Sequence, residues 1–285
     1  AYTDIVAIGQ GMETSFRQIV ADAVGVIPAN VEIVQGDTAD LTPFGPGSGT
    51  YASRGLVIGG NAMHHVAGEL REALRAAASQ ILECPANDIE FADGTVGSRR
   101  DPSRNIGLGR LAAVAGDSQR GFEHYGTYTL APGTFAFAAH ATMVEIDSVT
   151  GAISIMKYVA IHDCGNEINP MIVKGQIHGG LVQGLSEALF EEVAYEADGR
   201  PKAWSLMDYT LPAAGDIPDL RVETYPTAAQ NGPLGVRGIG EMAAVASPPA
   251  VSNAIHDALR PIGVSHVDLP LTQERVWEAF QRRSA

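Results

Sequence analysis

The chain has 285 residues, enough to bury a core in two lobes of about 150 residues each. Hydrophobic residues make up 45% and charged residues 18%, and 33 acidic against 19 basic side chains leave a formal charge of -14. That balance argues against nucleic-acid binding, which rests on clustered Lys and Arg; the pairs Arg99-Arg100 and Arg282-Arg283 are too small to reverse the field. Cys84 and Cys164 cannot build a disulfide framework and show no CxxC spacing, so a reducing, cytoplasmic compartment is the default, with the periplasm left open. No uncharged run is long enough to span a bilayer, and AYTDIVAIGQG lacks the marks of a secretory leader. The same start has no initiator Met and enters an alternating apolar segment at once, which predicts a processed piece or a subunit of something larger.

In chain order, residues 2–8 alternate like a strand. Thr14 to Val24 carries apolar residues at helical spacing, with Thr14 as N-cap and Gly25 as the stop. Val31 to Val34 reads as a short strand, and Leu41 to Gly55 as a loop rich in glycine and proline. A long helix is predicted from about Leu56 to Leu82, ended by Cys84-Pro85, then a hairpin over Ile89 to Ser98 around Asp93-Gly94. Arg99 to Arg120 is polar, with a short helix near Leu108 to Ala115.

From Thr127 the texture changes. Phe135 to Asp147 and Ala152 to His162 look like two strands joined at Ser148 to Gly151, and Pro170 opens a helix running to about Glu192. Asp198-Gly199 marks a hairpin, Leu220 to Tyr225 a strand, Pro249 to Leu259 a helix, and Thr272 caps a last helix to Arg282. Interleaving without a regular βαβ repeat predicts an α+β fold of two mixed α/β lobes, residues 1–125 and 126–285, with the boundary near 120–133.

Three glycine-flanked polar sites stand out. Gly9-Gln10-Gly11 lies at a strand-to-helix transition, where a helix start favours an anion. Thr50-Tyr51-Ala52-Ser53-Arg54-Gly55 sets small hydroxyls and an Arg before the long helix. Asn169-Pro170 with Gly175-Gln176 offers uncharged amides that both donate and accept. None is a GxGxxG or Walker loop, so a Rossmann or nucleoside-triphosphate reading fails. Singly, each is a common turn, and Gln10 or Gln176 reads equally as a satisfied core amide. Together, such turns suit a large polar cofactor held by backbone and amide groups.

The histidines favour structural roles. His64 and His65 are adjacent on a helix and point different ways, so they share no metal. His162, Asp163 and Cys164 lack further zinc ligands at suitable spacing, and His178 in GQIHGG is the one placed near a possible ligand. Cys164 reads as a buried small residue and Cys84 as a helix end.

Leu234 to Asn253, LGVRGIGEMAAVASPPAVSN, holds a single carboxylate, Glu241, between Gly240 and an apolar run. A carboxylate out of water is destabilised in its charged form and becomes a better proton acceptor near neutral pH, which marks a candidate catalytic base. The alternative is a carboxylate that caps a turn or faces the dipole of the Pro249 helix. Local sequence leaves both open.

GQGMETSFRQIVADAVG, GTYASRG, HDCGNEINPMIVKGQIHGGLVQGLSEALFEE, SLMDYTLP and VRGIGEMAAVASPPAVSNAIHDALRPIGV occur in one order. Together they resemble the C-terminal half of the molybdenum-binding subunit of the molybdenum hydroxylases, the xanthine oxidase family. Within it, the wording is similar to large subunits of the aerobic carbon monoxide dehydrogenase type. The resemblance covers nearly the whole chain and implies a molybdopterin dinucleotide, in bacteria usually the cytosine form. Carried onto matching positions, Gln10 and Gly11 contact the pterin or pyrophosphate region, and Thr50, Ala52, Ser53, Arg54 and Gly55 line the pterin. Asn169 and Gln176 sit near the dinucleotide, Gly240 belongs to the cofactor contacts, and Glu241 matches the base beside the molybdenum. The metal is held by the cofactor's dithiolene and by no protein side chain.

The resemblance further implies oxidative hydroxylation with water as oxygen source, of an N-heteroaromatic, purine or aldehyde substrate. Glu241 takes the proton from the metal-bound hydroxyl, and electrons leave through 2Fe-2S and FAD groups on partner subunits. The family's N-terminal half, with its substrate-facing loops, is expected on another chain, since neither that half nor the copper-binding cysteine loop of carbon monoxide dehydrogenase matches here. Met242 also departs from the small residue or proline expected after the base. Carbon monoxide oxidation is the alternative function. A non-catalytic cofactor-binding or assembly subunit is a third, against which the retained Glu241 argues.

Overall fold

The computed structural model describes residues 1–37, 39, 49–116, 122–129 and 134–283. Residues 41–48 of the predicted 41–55 loop, 117–120 of the polar stretch, and 120, 121 and 130–133 of the predicted boundary lie outside the described residues. The architecture is α+β, as expected. The chain forms two compact units: Ala1–Thr134 with Gly165–Asn169 and Ala228–Gly238, and Phe135–Cys164 with Pro170–Thr227 and Ile239–Ala285. Among the described residues no helix is long and apolar enough to cross a membrane.

In the first unit, β1 (Tyr2–Thr3) pairs in parallel with β2 (Val34–Gln35). Both are shorter than their alternating patterns suggest. Helix α1 (Met12–Val24) begins after Gly11, which sits in the left-handed region at φ 78, so Thr14 is inside the helix and not its cap. Gly25, at φ 89, stops it as predicted. Met12, Phe16 and Ile19 of α1 pack with Ile5, Ile33 and Met63. A widened turn over Leu56–Gly60 leads into α2 (Asn61–Ile81), so the predicted long helix is present. Leu74 and Ala78 of α2 cover Ile89 and Val96 of an antiparallel sheet, β3 (Ile89–Ala92), β4 (Thr95–Ser98) and β5 (Asn105–Gly107), with α3 (Leu108–Ala115) alongside. β5 was not foreseen, because three residues with one apolar side chain carry no periodicity.

In the second unit, β6 (Phe137–Ile146) and β7 (Ile153–Asp163) form an antiparallel pair with a bulge between Met143 and Val144. β8 (Leu220–Thr224) adds in parallel to β7. The Asp198-Gly199 turn closes only an isolated bridge between Tyr195 and Pro201, not a hairpin ladder. α4 (Pro170–Leu189), α5 (Met242–Leu259) and α6 (Gln273–Arg283) supply the helical part of the core. Tyr158 and Ala160 of β7 meet Ile177, Leu181, Leu185, Val251, Ile255 and Leu259 there. Thr272 does cap α6, its Oγ1 accepting from Arg275 N at 3.3 Å.

α5 starts seven residues earlier than predicted and runs through Pro248 and Pro249. Each proline removes an N–H that would bond four residues back, which is why the sequence suggests a helix starting at Pro249. The helix persists because α4 seats directly on it. A Cβ on Gly180 would lie 2.9 Å from Ala243 Cβ, and one on Gly184 2.7 Å from Ser247 Cβ and 2.9 Å from Pro248 Cδ. Ser247 Oγ donates to Leu181 O at 3.2 Å, which closes the contact with a hydrogen bond.

A buried histidine, His162, lies in this core with a second histidine beside it. His140 Nε2 faces His162 Nε2 at 3.0 Å, and His140 Nδ1 meets the Tyr158 hydroxyl at 2.9 Å. Burial, and then repulsion from His162, push His140 down to about 4, and burial lowers His162 as well. The unfolded chain takes up the His140 proton near 6.5. Stability from this group is therefore full above pH 6.5 and is lost as pH falls toward about 4.

His140→Gln should therefore flatten the decline of the urea midpoint across that window; an unchanged decline would mean the ring is solvated. Gly184→Ala should lower the midpoint by the equivalent of about 1–3 kcal/mol through overpacking. Gly179→Ala, whose Cβ meets nothing within 4 Å, should raise it through helix propensity.

Candidate functional site

In the first unit two of the three sequence-predicted turns lie side by side. The Gln10 side chain folds back, its Oε1 accepting from Ile8 N at 2.6 Å. Its Nε2 is buried and has no acceptor among the described residues. Thr50 Oγ1 donates to Val6 O at 2.9 Å, which ties the second turn to the strand leading into Gly9-Gln10-Gly11. Gly55 faces Met12 and Ile5 so closely that a Cβ would stand 3.2 Å from Met12 Cε. Gln10, Gly11 and Thr50 to Gly55 thus form one neighbourhood.

Ala52 and Ser53 are both left-handed, at φ 52 and 53, and Arg54 N closes the turn onto Tyr51 O at 3.2 Å. Two consecutive residues with side chains in that region cost about 1–2 kcal/mol each, and such strain clusters where backbone groups are presented to a ligand. Arg54 shapes the loop. Its guanidinium donates to Gly49 O at 2.9 Å and to the Tyr51 hydroxyl at 3.1 Å, and stacks 4.1 Å from the Tyr51 ring.

The segment 228–238 docks on this turn. Asn61, 1% exposed, accepts from Leu234 N at 3.1 Å and donates to Val57 O at 2.7 Å. Asn166 N donates to Gly235 O at 2.9 Å. Gly238 is pressed against Ser53, whose carbonyl oxygen any Cβ there would strike. Asn169 is committed in part to structure, its Nδ2 donating to Gln18 Oε1 at 2.9 Å.

In the second unit the relevant residues are Gln176, Gly240 and Glu241. Gly184 meets Ser247 and Gly180 meets Ala243, so α4 and α5 run parallel in register. Gln176 lies one further turn back along α4 from Gly180. Gly175 and Gly179 have nothing within 4 Å of a Cβ, and Gln176 is half-buried. His178 Nε2 is buried without a partner among the described residues.

Glu241 is the residue at which α5 begins, at φ -112, and Val245 N donates to its backbone oxygen at 3.1 Å. Its side chain makes no capping hydrogen bond, while its place at the start of α5 is the one the helix-dipole alternative calls for. The expected removal from water is also not met: Glu241 is exposed. An apolar following sequence buries its own helix face, here Ala243, Ser247 and Val251, and not the residue that precedes the helix.

In the first unit, an orphaned buried amide donor beside a strained backbone turn suits a polar ligand held by uncharged groups. Among the described residues no group of three or more His, Cys, Asp or Glu could hold a metal ion. A separate cleft of about 520 Å³ in the first unit is lined by Gln18, Asp22, His64, Arg71, Glu167 and Leu234, among others, and includes none of the turn residues above. Glu167 Oε1 is buried there without a partner among the described residues. Sequence reading passed over it because Gln18 and Asp22, four apart on α1, look like an ordinary solvated face.

Residues 1–218 match the family described as the molybdopterin cofactor-binding domain. The chain is 36% identical over 279 residues to the nicotine 6-hydroxylase large subunit of Paenarthrobacter nicotinovorans, covering 95% of this chain and 34% of that one. It is 32% identical over 281 residues to the carbon monoxide dehydrogenase large chain of Hydrogenophaga pseudoflava, covering 97% and 35%. Among solved structures, quinoline 2-oxidoreductase from Pseudomonas putida 86 superposes with a TM-score of 0.86 at 36% identity, over 99% of this chain and 36% of that one. The chain thus spans about a third of the length of the relatives it matches.

Gly238→Ala should force the 228–238 segment off the Ala52-Ser53 turn. The expected outcome is faster amide exchange across Leu234 to Gly238 and a stability loss of about 1–3 kcal/mol. Unchanged exchange would show that the segment is held elsewhere.

Proposed function

Since the chain belongs to the molybdopterin cofactor-binding domain family of the molybdenum hydroxylases, we propose that it holds a molybdopterin cytosine dinucleotide and supplies the proton acceptor for an oxidative hydroxylation. When bound, the cofactor supplies a redox-active molybdenum that takes up an electron pair while an oxygen from water is transferred to a substrate carbon. Gln10 offers its unpaired Nε2 donor to the cofactor, and Gly11 brings the α1 start close. Thr50, Ala52, Ser53, Arg54 and Gly55 present backbone and hydroxyl groups from a turn already held in its strained shape, and Asn169 adds an amide. On α4, Gln176 contributes an uncharged amide beside the open faces of Gly175 and Gly179.

Glu241 carries the catalytic part of this reading. Its carboxylate receives, at one oxygen, the proton released as the water-derived oxygen bonds to substrate. Gly240, the residue before it, belongs to the proposed cofactor contacts. The observation that carries the proposal is the placement of Glu241 at the start of α5, whose first turns pack on α4. Position at the end of a packed helix gives the precision a general base needs.

The named relatives at 36% identity act on nicotine and quinoline, which favours an N-heteroaromatic substrate, with purines and aldehydes in the same chemical range. Carbon monoxide oxidation is the second reading, favoured by the 32% identity to a carbon monoxide dehydrogenase large chain. The matched relatives are three times longer, so the active site is completed by polypeptide outside residues 1–285, and electrons pass to 2Fe-2S and FAD groups on separate iron–sulfur and flavin subunits. A reducing, cytoplasmic compartment suits that assembly and its free cysteines.

Glu241→Gln in the assembled enzyme should abolish turnover, by 10²-fold or more, and leave molybdenum content near wild type; substantial remaining activity would sink the base assignment. Gln176→Ala should lower the molybdenum-to-protein ratio before it alters the circular dichroism spectrum. An unchanged ratio would remove Gln176 from the cofactor contacts.

A further inference from the structure

The sheet of the second unit has two unequal faces. Residues opposite each other along β6 and β7 sort cleanly: Thr142 with Tyr158, His140 with Ala160 and Ala138 with His162 point toward the helices. The other face carries Ala139 with Ile161, Ala141 with Val159, and Met143 with Lys157, while Met156 is the extra residue at the bulge. Met143 is 57% exposed, Met156 56% and Ile161 43%. On β8 the same face turns polar, with Arg221 opposite Val159, Glu223 opposite Ile161, and the two joined by an ion pair of 2.6 Å.

The apolar half of this face therefore lies toward β6, and β6 is the edge of the sheet. Among the described residues no strand pairs with its far side. A long edge strand with an apolar face is a template for pairing, and soluble proteins cover such edges. Layered domains leave a sheet face apolar where another layer packs on it.

We propose that the β6 edge, with the patch formed by Ala139, Ala141, Met143, Met156, Val159 and Ile161, is the docking surface for the large-subunit polypeptide outside residues 1–285. That polypeptide lays an extended strand along β6 and covers the apolar half of the face. The inference rests on the functional reading above, in which residues outside this chain complete the enzyme. Three observations choose this occupant. In the matched relatives this region is 34–36% of one polypeptide, so the remainder is present at high effective concentration. A second copy would bring another formal charge of -14 against the first. The polar Arg221-Glu223 half, together with Lys157 and Glu145, forms a rim around an apolar centre, the anatomy of a specific interface.

The test places a photo-crosslinking benzoylphenylalanine at Ala141 or, as control, at Glu223, in the assembled enzyme, and maps the cross-linked peptides by mass spectrometry. Position 141 should cross-link to large-subunit peptides outside residues 1–285 at a yield at least five-fold above position 223. Ala141→Lys should reduce assembled enzyme at least ten-fold with an unchanged circular dichroism spectrum, while Ala141→Val assembles normally. Cross-links to an iron–sulfur or flavin subunit, to a second copy, or none at all would overturn the proposal, as would normal assembly of Ala141→Lys. If Ala141→Lys does not fold, the cross-link positions alone decide. A complex that cross-links as expected and holds no molybdenum would instead overturn the functional reading and leave the docking surface standing.

Discussion

The close approach of α4 and α5 sets the geometry of everything in the second unit. Glycine at 180 and 184 lets the α4 backbone seat directly on the small side chains of Ala243 and Ser247, and Ser247 bonds back to Leu181. That contact lets α5 run intact through two prolines, whose lost backbone bonds are offset by the burial of Ala243, Val251, Ile255 and Leu259. A helix beginning at Pro249 would leave Glu241 in a loop eight residues upstream. Beginning at Met242, it places the Glu241 backbone at the end of a packed element.

The first unit works by different means. Its candidate contacts are mostly backbone and amide groups, and its side chains serve to hold them. Arg54 spends its donors on Gly49 and Tyr51, Thr50 on Val6, and buried Asn61 on the 228–238 segment. The result is a turn whose two left-handed residues are overdetermined by their surroundings. A polar cofactor with many hydrogen-bonding edges is matched by such a surface.

Much of this was legible in the sequence where one residue type has one physical consequence. Gly25 ended α1, Asp93-Gly94 turned the β3–β4 hairpin, Pro170 opened α4 and Thr272 capped α6. The side-by-side placement of the Gln10 and Thr50–Gly55 turns was suggested by their shared chemistry before any contact was known. What failed depended on partners far along the chain. The start of α5 follows from glycines sixty residues earlier on α4, which no local rule at Pro249 registers. The His140–His162 pair follows from the β6–β7 register, which places them diagonally on one face. Neither residue alone signals a buried partner.

The exposure of Glu241 belongs to that second class and changes what the sequence argument meant. An acidic residue ahead of an apolar run looked like a carboxylate withdrawn from water, yet the apolar run buries itself against α4 and leaves the preceding residue outside. These 285 residues give the carboxylate its position and its rigidity, and they do not exclude water from it. A base acting beside a redox centre needs that exclusion, both to strengthen the local electrostatics and to keep side reactions out. The outer face of β6 and β7 shows the same incompleteness in apolar form, with methionines and alanines where a finished surface carries charge.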